Sequence, residues 1–193
     1  MKEVAKMPRV HIIAPYYQTY PILCDSLRLQ THQDWTLDLI HDGLPLPSFQ
    51  GEWNRDPRIV VRATPARHND FGHSLRADGL TKLAQQNPRA EFVVVSNHDN
   101  YYVPGFLAMM LSHMGNHQGV YCDAVYNGLK WGVLAAELRL ACIDCGCVMV
   151  RSQWAIEAGW RSRRHAGDWD WINDMLQRTQ DFVRLPRPLF VHN

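Results

Sequence analysis

Apolar runs alternate with amphipathic stretches through the first half of the chain. Val10 to Ala14 is apolar apart from His11, and Pro15 closes it, so it reads as a strand. Tyr20 to Leu29 carries Ile22, Leu23, Leu27 and Leu29 and reads as a helix. Trp35 to His41 is a second strand. The turn His41-Asp-Gly-Leu-Pro45 comes next, because Gly and Pro punctuate there. Arg58 to Thr64, rich in Val and Ile, is a third strand. Ser74 to Gln85 has the helical pattern, with Leu75, Leu80 and Leu83 as apolar positions. Glu91 to Ser96 is a fourth strand, and its Phe-Val-Val-Val run suits burial on both faces of a parallel sheet. Pro104 to Met114 reads as the next helix. This alternation predicts an α/β protein with a mostly parallel sheet and right-handed crossovers.

The second half is less regular. Val120 to Asn127 and Cys145 to Arg151 are predicted strands. Trp154 to Ala158 and Asp168 to Thr179 are predicted helices. Phe182 to Val191 reads as an extended tail broken by Pro186 and Pro188. No linker interrupts the pattern, so residues 1–193 are read as one domain packed on one sheet. Trp131 to Leu140 carries apolar residues that read equally as a partner surface or as a lid.

Composition narrows the function classes. The 193 residues are 46% hydrophobic and 20% charged, which suits a globular protein rather than a disordered one. A net charge of +1 gives no ground for a broad nucleic-acid or membrane surface. Arg161, Arg163, Arg164 and His165 form a local basic patch. Met1 to Arg9 is short and charged and no long apolar run comes after it, so neither a signal peptide nor a membrane span is expected. That reading implies a cytoplasmic location. The five cysteines are then expected as reduced thiols. Cys122, Cys142, Cys145 and Cys147 raise a four-thiolate zinc site. If 145–151 is a strand, Cys145 and Cys147 share one face, whereas structural zinc sites usually pair thiolates from two turns. Buried thiols are the favoured expectation.

Ligands of open α/β sheets bind beyond the carboxyl ends of the strands. After the first strand come Pro15, Tyr16 and Tyr17. After the second comes Asp42-Gly43. After the fourth come Asn97, His98, Asp99 and Asn100. This set can stack a base, accept a hydrogen bond from it, and bind a metal-linked diphosphate. Each piece also has a plain structural reading as packing, turn or polar loop. Their coincidence at one sheet edge favours the functional one. No dinucleotide fingerprint, Walker A loop, HExxH or nucleophile elbow is present, so a cation and basic side chains must balance any diphosphate.

The last helix opens Gly167-Asp-Trp-Asp-Trp171. Asp168 falls over Trp171, Ile172 and Met175 on the apolar face, whereas Asp170 falls on the polar face as a solvated charge. Asp168 reads as an N-cap, as an inward general base, or as both.

Seven fragments, in order and at about the right spacing, resemble the family-2 glycosyltransferases, which have the GT-A fold. They are Val10-His-Ile-Ile-Ala14 with its Pro15-Tyr-Tyr-Gln18 turn, Gln30 to Asp34, Leu37-Asp-Leu-Ile-His-Asp-Gly43, Leu75-Arg-Ala-Asp-Gly-Leu80, Phe92 to Phe106, Val148 to Trp160, and Gly167 to Trp171. The resemblance implies a GT-A fold with a mixed, mostly parallel sheet flanked by helices. Residues 1–100 would form the nucleotide half and 101–193 the acceptor and catalytic half. It implies an inverting transfer from a nucleotide-sugar donor, a UDP-sugar before GDP- or dTDP-sugars, to a glycan or other hydroxyl acceptor. Tyr17 would stack on the base and Asp42 accept from its ring N–H. Pro15, Arg76, Asn97 and His98 would complete the nucleotide site. Asp99 and His192 would hold Mn²⁺ or Mg²⁺, and Asp168 would be the base.

The sequence departs from the family pattern at four places. Asn97 and Asn100 stand where acidic residues flank Asp99, His41 stands for the first aspartate of "D-D-G", and Gly167 stands for the glutamate before Asp168. The thinner negative charge implies weaker metal binding and motivates a second reading, a nucleotide-sugar-binding or regulatory module with weakened catalysis. The chain has little beyond a GT-A core, which implies an open acceptor pocket or one completed by a second copy or another protein. A nucleotidyltransferase is disfavoured, because Pro15-Tyr-Tyr-Gln-Thr19 stands where that class carries a glycine-rich basic loop.

Overall fold

The computed structural model describes residues 10–17, 19–48, 51–86 and 90–193. The expectation about Met1 to Arg9 lies outside them. Nine strands form a single mixed sheet among the described residues. They are β1 (Val10–Tyr16), β2 (Trp35–His41), β3 (Ile59–Ala63), β4 (Phe92–Val95), β5 (Tyr101–Tyr102), β6 (Gly119–Tyr126), β7 (Gly132–Leu134), β8 (Val148–Arg151) and β9 (Phe182–His192). Five helices accompany them: α1 (Ile22–Arg28), α2 (His73–Gln85), α3 (Phe106–Met114), α4 (Ser152–Ala158) and α5 (Gly167–Leu176).

The sheet order is β3-β2-β1-β4-β8-β6-β9-β5, with β7 hydrogen-bonded to β6. Strands β3, β2, β1 and β4 are mutually parallel. β8 runs antiparallel to both β4 and β6, and β9 is parallel to β6. The chain therefore moves outward from β1 to β3 and then returns to place β4 on the other flank of β1. That reversal opens a crevice between the ends of β1 and β4, where an α/β sheet binds its ligand. Every residue of β1 and β4 is buried, as two-sided coverage by helices requires.

Two sequence expectations are corrected. Phe182 to Val191 is no loose tail but most of an eleven-residue strand. Pro186 and Pro188 are tolerated because β9 pairs along β6 on one side, while on the other its strand partners among the described residues are Tyr101 and Tyr102, at Val191 and Phe190. A proline without an outer partner forfeits no ladder bond there. The β6–β9 register also shifts around Asp123, which absorbs the irregular stretch. Cys145 to Cys147 is not strand but a 3-10 turn. Asp144 makes it, accepting from Gly146 N at 2.7 Å through its carboxylate and from Cys147 N at 3.0 Å through its carbonyl. Among the described residues no helix is long and apolar enough to cross a membrane.

Candidate functional site

The β1–β4 pairing continues past the strand ends. Ser96 N donates to Ile13 O at 2.9 Å and His98 N to Pro15 O at 3.2 Å. These bonds bring the 97–99 turn against the residues at the end of β1. Helix α2 starts beside them. Gly72 has φ +80°, and a Cβ there would lie 2.6 Å from the Pro15 ring, so glycine is required for both backbone and space. One turn later comes Arg76. Its guanidinium donates to Phe71 O at 2.8 Å and to Asn97 Oδ1, and lies 4.9 Å from the centre of the Trp160 ring. Its Nε is buried with no partner among the described residues.

These groups line a cleft of about 450 Å³ with Tyr17, Asn69, Phe71, His98, Asp99 and His192. Burial and neighbouring carboxylates push the Tyr17 phenol up to about 12, with Arg76 opposing, so the ring stays neutral. His98 is buried and binds Thr19 Oγ1 at 2.6 Å, and burial lowers its pKa.

A second cavity of about 650 Å³ adjoins the first, and Phe71, Arg76, Asn97 and His192 line both. Asp168 lines it, at the second position of α5, and accepts from Cys145 N at 3.4 Å. Asp144 faces it, and oxygens of both carboxyls lie within 4.8 Å of each other and of the Cys145 sulfur. Burial first, and the Asp168 charge second, raise the Asp144 carboxyl well above the ordinary carboxylate range. A carboxyl raised in this way holds its proton to higher pH than an exposed one, which limits the negative charge gathered at this place. The buried Cys145 thiol is pushed up by the same causes. His192 Nε2 lies 3.4 Å from Asp144 Oδ2.

No family model matches the sequence, and no curated protein matches it at a significant level. Solved structures do match in shape. S. aureus TarS 1–349 in complex with UDP superposes with a TM-score of 0.74 at 15% identity, over 95% of this chain and 60% of that one. The same protein in complex with UDP-GlcNAc gives 0.74 at 14% identity, over 95% and 58%. The chain has the GT-A fold. It spans about 60% of the length of the TarS 1–349 structures.

Within this GT-A sheet, Tyr17, Arg76, Asn97, His98, Asp99 and His192 come together in one cleft, and Asp168 stands in the adjoining cavity. Two expected nucleotide residues do not line either one. Pro15 is buried under Gly72. The Asp42 carboxylate is buried and accepts from His68 N at 2.7 Å and Asn69 N at 2.9 Å. It thereby shapes the loop that carries Asn69 and Phe71 into the cleft. Asp168 is not the N-cap, which is Ala166. Asp170 is not a free solvated charge either. It accepts from Ser162 Oγ at 2.5 Å and pairs with Arg164, pinning the basic loop.

Asp144 is the residue that strand-end reasoning passes over. Residues just after a parallel strand reach this edge, but β8 is antiparallel, so the residues before it arrive at the same place. The replacement of the family's glutamate by Gly167 also has a local cause. A Cβ there would overlap the His73 imidazole, which accepts from Trp160 Nε1 at 2.9 Å through Nδ1. Asp99 and His192 face one cleft, and His192 Nδ1 is buried without a partner among the described residues. Asp99 offers the carboxylate oxygen that Mn²⁺ or Mg²⁺ takes beside phosphate oxygens and water, and His192 offers an imidazole nitrogen.

Proposed function

We propose that this chain moves a glycosyl group from a nucleotide-sugar, a UDP-sugar first among the candidates, to an acceptor hydroxyl with inversion. The observation that carries the reading is the pair of adjoining cavities that share Arg76 and Asn97. One ends in Tyr17 and Asp99, and the other holds Asp168. The Tyr17 ring offers a face for the base. Arg76 stands at the junction, where the departing diphosphate gathers negative charge, and a fixed cation there favours departure. Asp168 takes the acceptor's proton as its oxygen bonds to the anomeric carbon, and the bond to the diphosphate oxygen breaks with its electron pair leaving on UDP. Asp99 and His192 would hold a divalent ion, which offsets diphosphate charge when bound.

Replacing Asp168 by Asn removes the base while keeping its size. Transfer should fall by about a hundredfold or more, with the UDP dissociation constant within about twofold of the parent. Equal loss of transfer and UDP binding would make Asp168 a structural residue. A binding module with weakened catalysis is the second reading, motivated by Asn97, Asn100 and Gly167. UDP binding without turnover of any donor in the presence of Mn²⁺ would favour it.

A further inference from the structure

The larger cavity has a mixed lining. Arg76, Asn97, Asp144, Asp168 and His192 are among its polar residues, and Leu134, Ile143 and Trp169, with the exposed Phe71, Leu129 and Leu140, give it an apolar part. The last three are 72%, 49% and 56% exposed. Trp131 and Val133, on the same β6–β7 hairpin as Leu129, are each 58% exposed. Large apolar side chains scattered singly on a surface need no explanation, but a contiguous group around a cavity mouth marks a binding surface.

The apolar part is also built in advance. The loop behind Leu140 is tied down by Ala136 N to Asp123 Oδ1 at 2.9 Å and by Glu137 N to Cys142 O at 3.0 Å. Lys130, Trp131 and Ala141 all have φ between 53° and 64°, a region that costs a non-glycine residue energy. A hydroxyl lying against Leu129, Leu134, Leu140 or Ile143 would leave water without gaining a polar partner there, whereas an apolar group would lose nothing.

We infer that the acceptor presents its hydroxyl to Asp168 on an apolar body, an alkyl or aryl aglycone that lies along Leu134 and Ile143 and emerges between Leu129 and Leu140. The inference rests on the transfer reaction proposed above, and it adds the chemical class of the acceptor.

The test compares octyl β-glucoside, kept below its micelle-forming concentration, with methyl β-glucoside. Both are titrated into the full chain, with and without UDP. The sugar is constant and only the apolar body changes. Octyl glucoside should bind at least about tenfold tighter, the worth of burying two methylene groups. Leu129→Asp and Leu140→Asp together should erase that preference and leave UDP affinity unchanged. Val60→Asp, on the exposed face of the edge strand β3, should keep it. Equal affinity for the two glucosides would overturn the inference. So would an octyl preference that survives the double variant or is lost equally in Val60→Asp. Octyl preference without UDP binding would count against the transferase reading alone, and UDP binding without octyl preference against this inference alone.

Discussion

Asn97 stands where the family-2 pattern has an aspartate, and its side chain accepts from Arg76. An aspartate at that place would pair with the guanidinium and cancel its charge. The amide holds the same geometry and leaves Arg76 a full cation at the junction of the two cavities. On the transfer reaction proposed above, charge balance for a diphosphate would shift from the metal ligands toward Arg76. Asn97→Asp should therefore weaken UDP binding measured in a chelator by roughly five- to tenfold, about 1 kcal/mol. Added Mn²⁺ should recover part of that loss, because the new carboxylate adds a ligand. Unchanged binding in chelator would remove Arg76 from the diphosphate site. Residue identity alone shows that Asn97 departs from the pattern. What the amide does depends on a partner 21 positions away, and only the fold brings the two together.

At the scale of elements, the β1–β2 pair shows how a polar residue enters an otherwise apolar strand. His11 pairs across to Thr36 in register, and its Nδ1 lies 2.8 Å from Thr36 Oγ1. Arg62 of β3 binds Asp38 of β2 through two nitrogens at 2.7 and 2.6 Å beside it. Burial lowers His11 to about 4, with Asp38 raising and Arg62 lowering it in smaller measure. The unfolded chain takes up this proton near the ordinary 6.5, and the folded chain does not until about 4. The unfolded state therefore binds more protons between those values. The contribution to stability is complete above about pH 6.5 and is lost as pH falls toward 4, by about 3 kcal/mol at most. Urea unfolding of His11→Gln should show a shallower loss of stability over that window. His73, His98 and His192 are also lowered by burial and should leave a residual slope. An identical pH slope in parent and variant would rule out His11 as the source.

The same scale explains which elements could be read from the chain. β1 to β4 are legible because apolar residues dominate each, interrupted at His11, at Thr36, Asp38 and His41, and at Arg62, and a turn signal follows. β9 is not, because its middle residues are exposed and carry two prolines, and the bulge around Asp123 breaks the register. The turn at Cys145 to Cys147 is as buried as the strand it leads into, so burial pattern cannot separate them. β7 and the two-residue β5 are too short to show a period of two.

Across the whole molecule, the parallel strand ends of β1, β4, β6 and β9 and the start of antiparallel β8 all reach one edge of the sheet. Tyr17, Asp99 and His192 arrive from strand ends and Asp144 from a strand start, while α2 and α5 deliver Arg76 and Asp168. Tyr17 and Asp99 are legible in sequence, because they follow the apolar runs of β1 and β4, whereas His192 is reached only through the family resemblance, since β9 shows no strand pattern. The apolar wall around Asp168 is not, because it comes from the β6–β7 hairpin and the loop before β8, whose path no local pattern dictates. This edge should bind a nucleoside diphosphate with help from a divalent ion. A calorimetric titration of UDP into the protein, with Mn²⁺ and with chelator and run beside Asp99→Ala, decides that claim. UDP should bind in both conditions, tighter with Mn²⁺, and Asp99→Ala should gain nothing from Mn²⁺. A folded protein that binds no UDP in either condition, or an Asp99→Ala variant with the parent's full response to Mn²⁺, would contradict the claim.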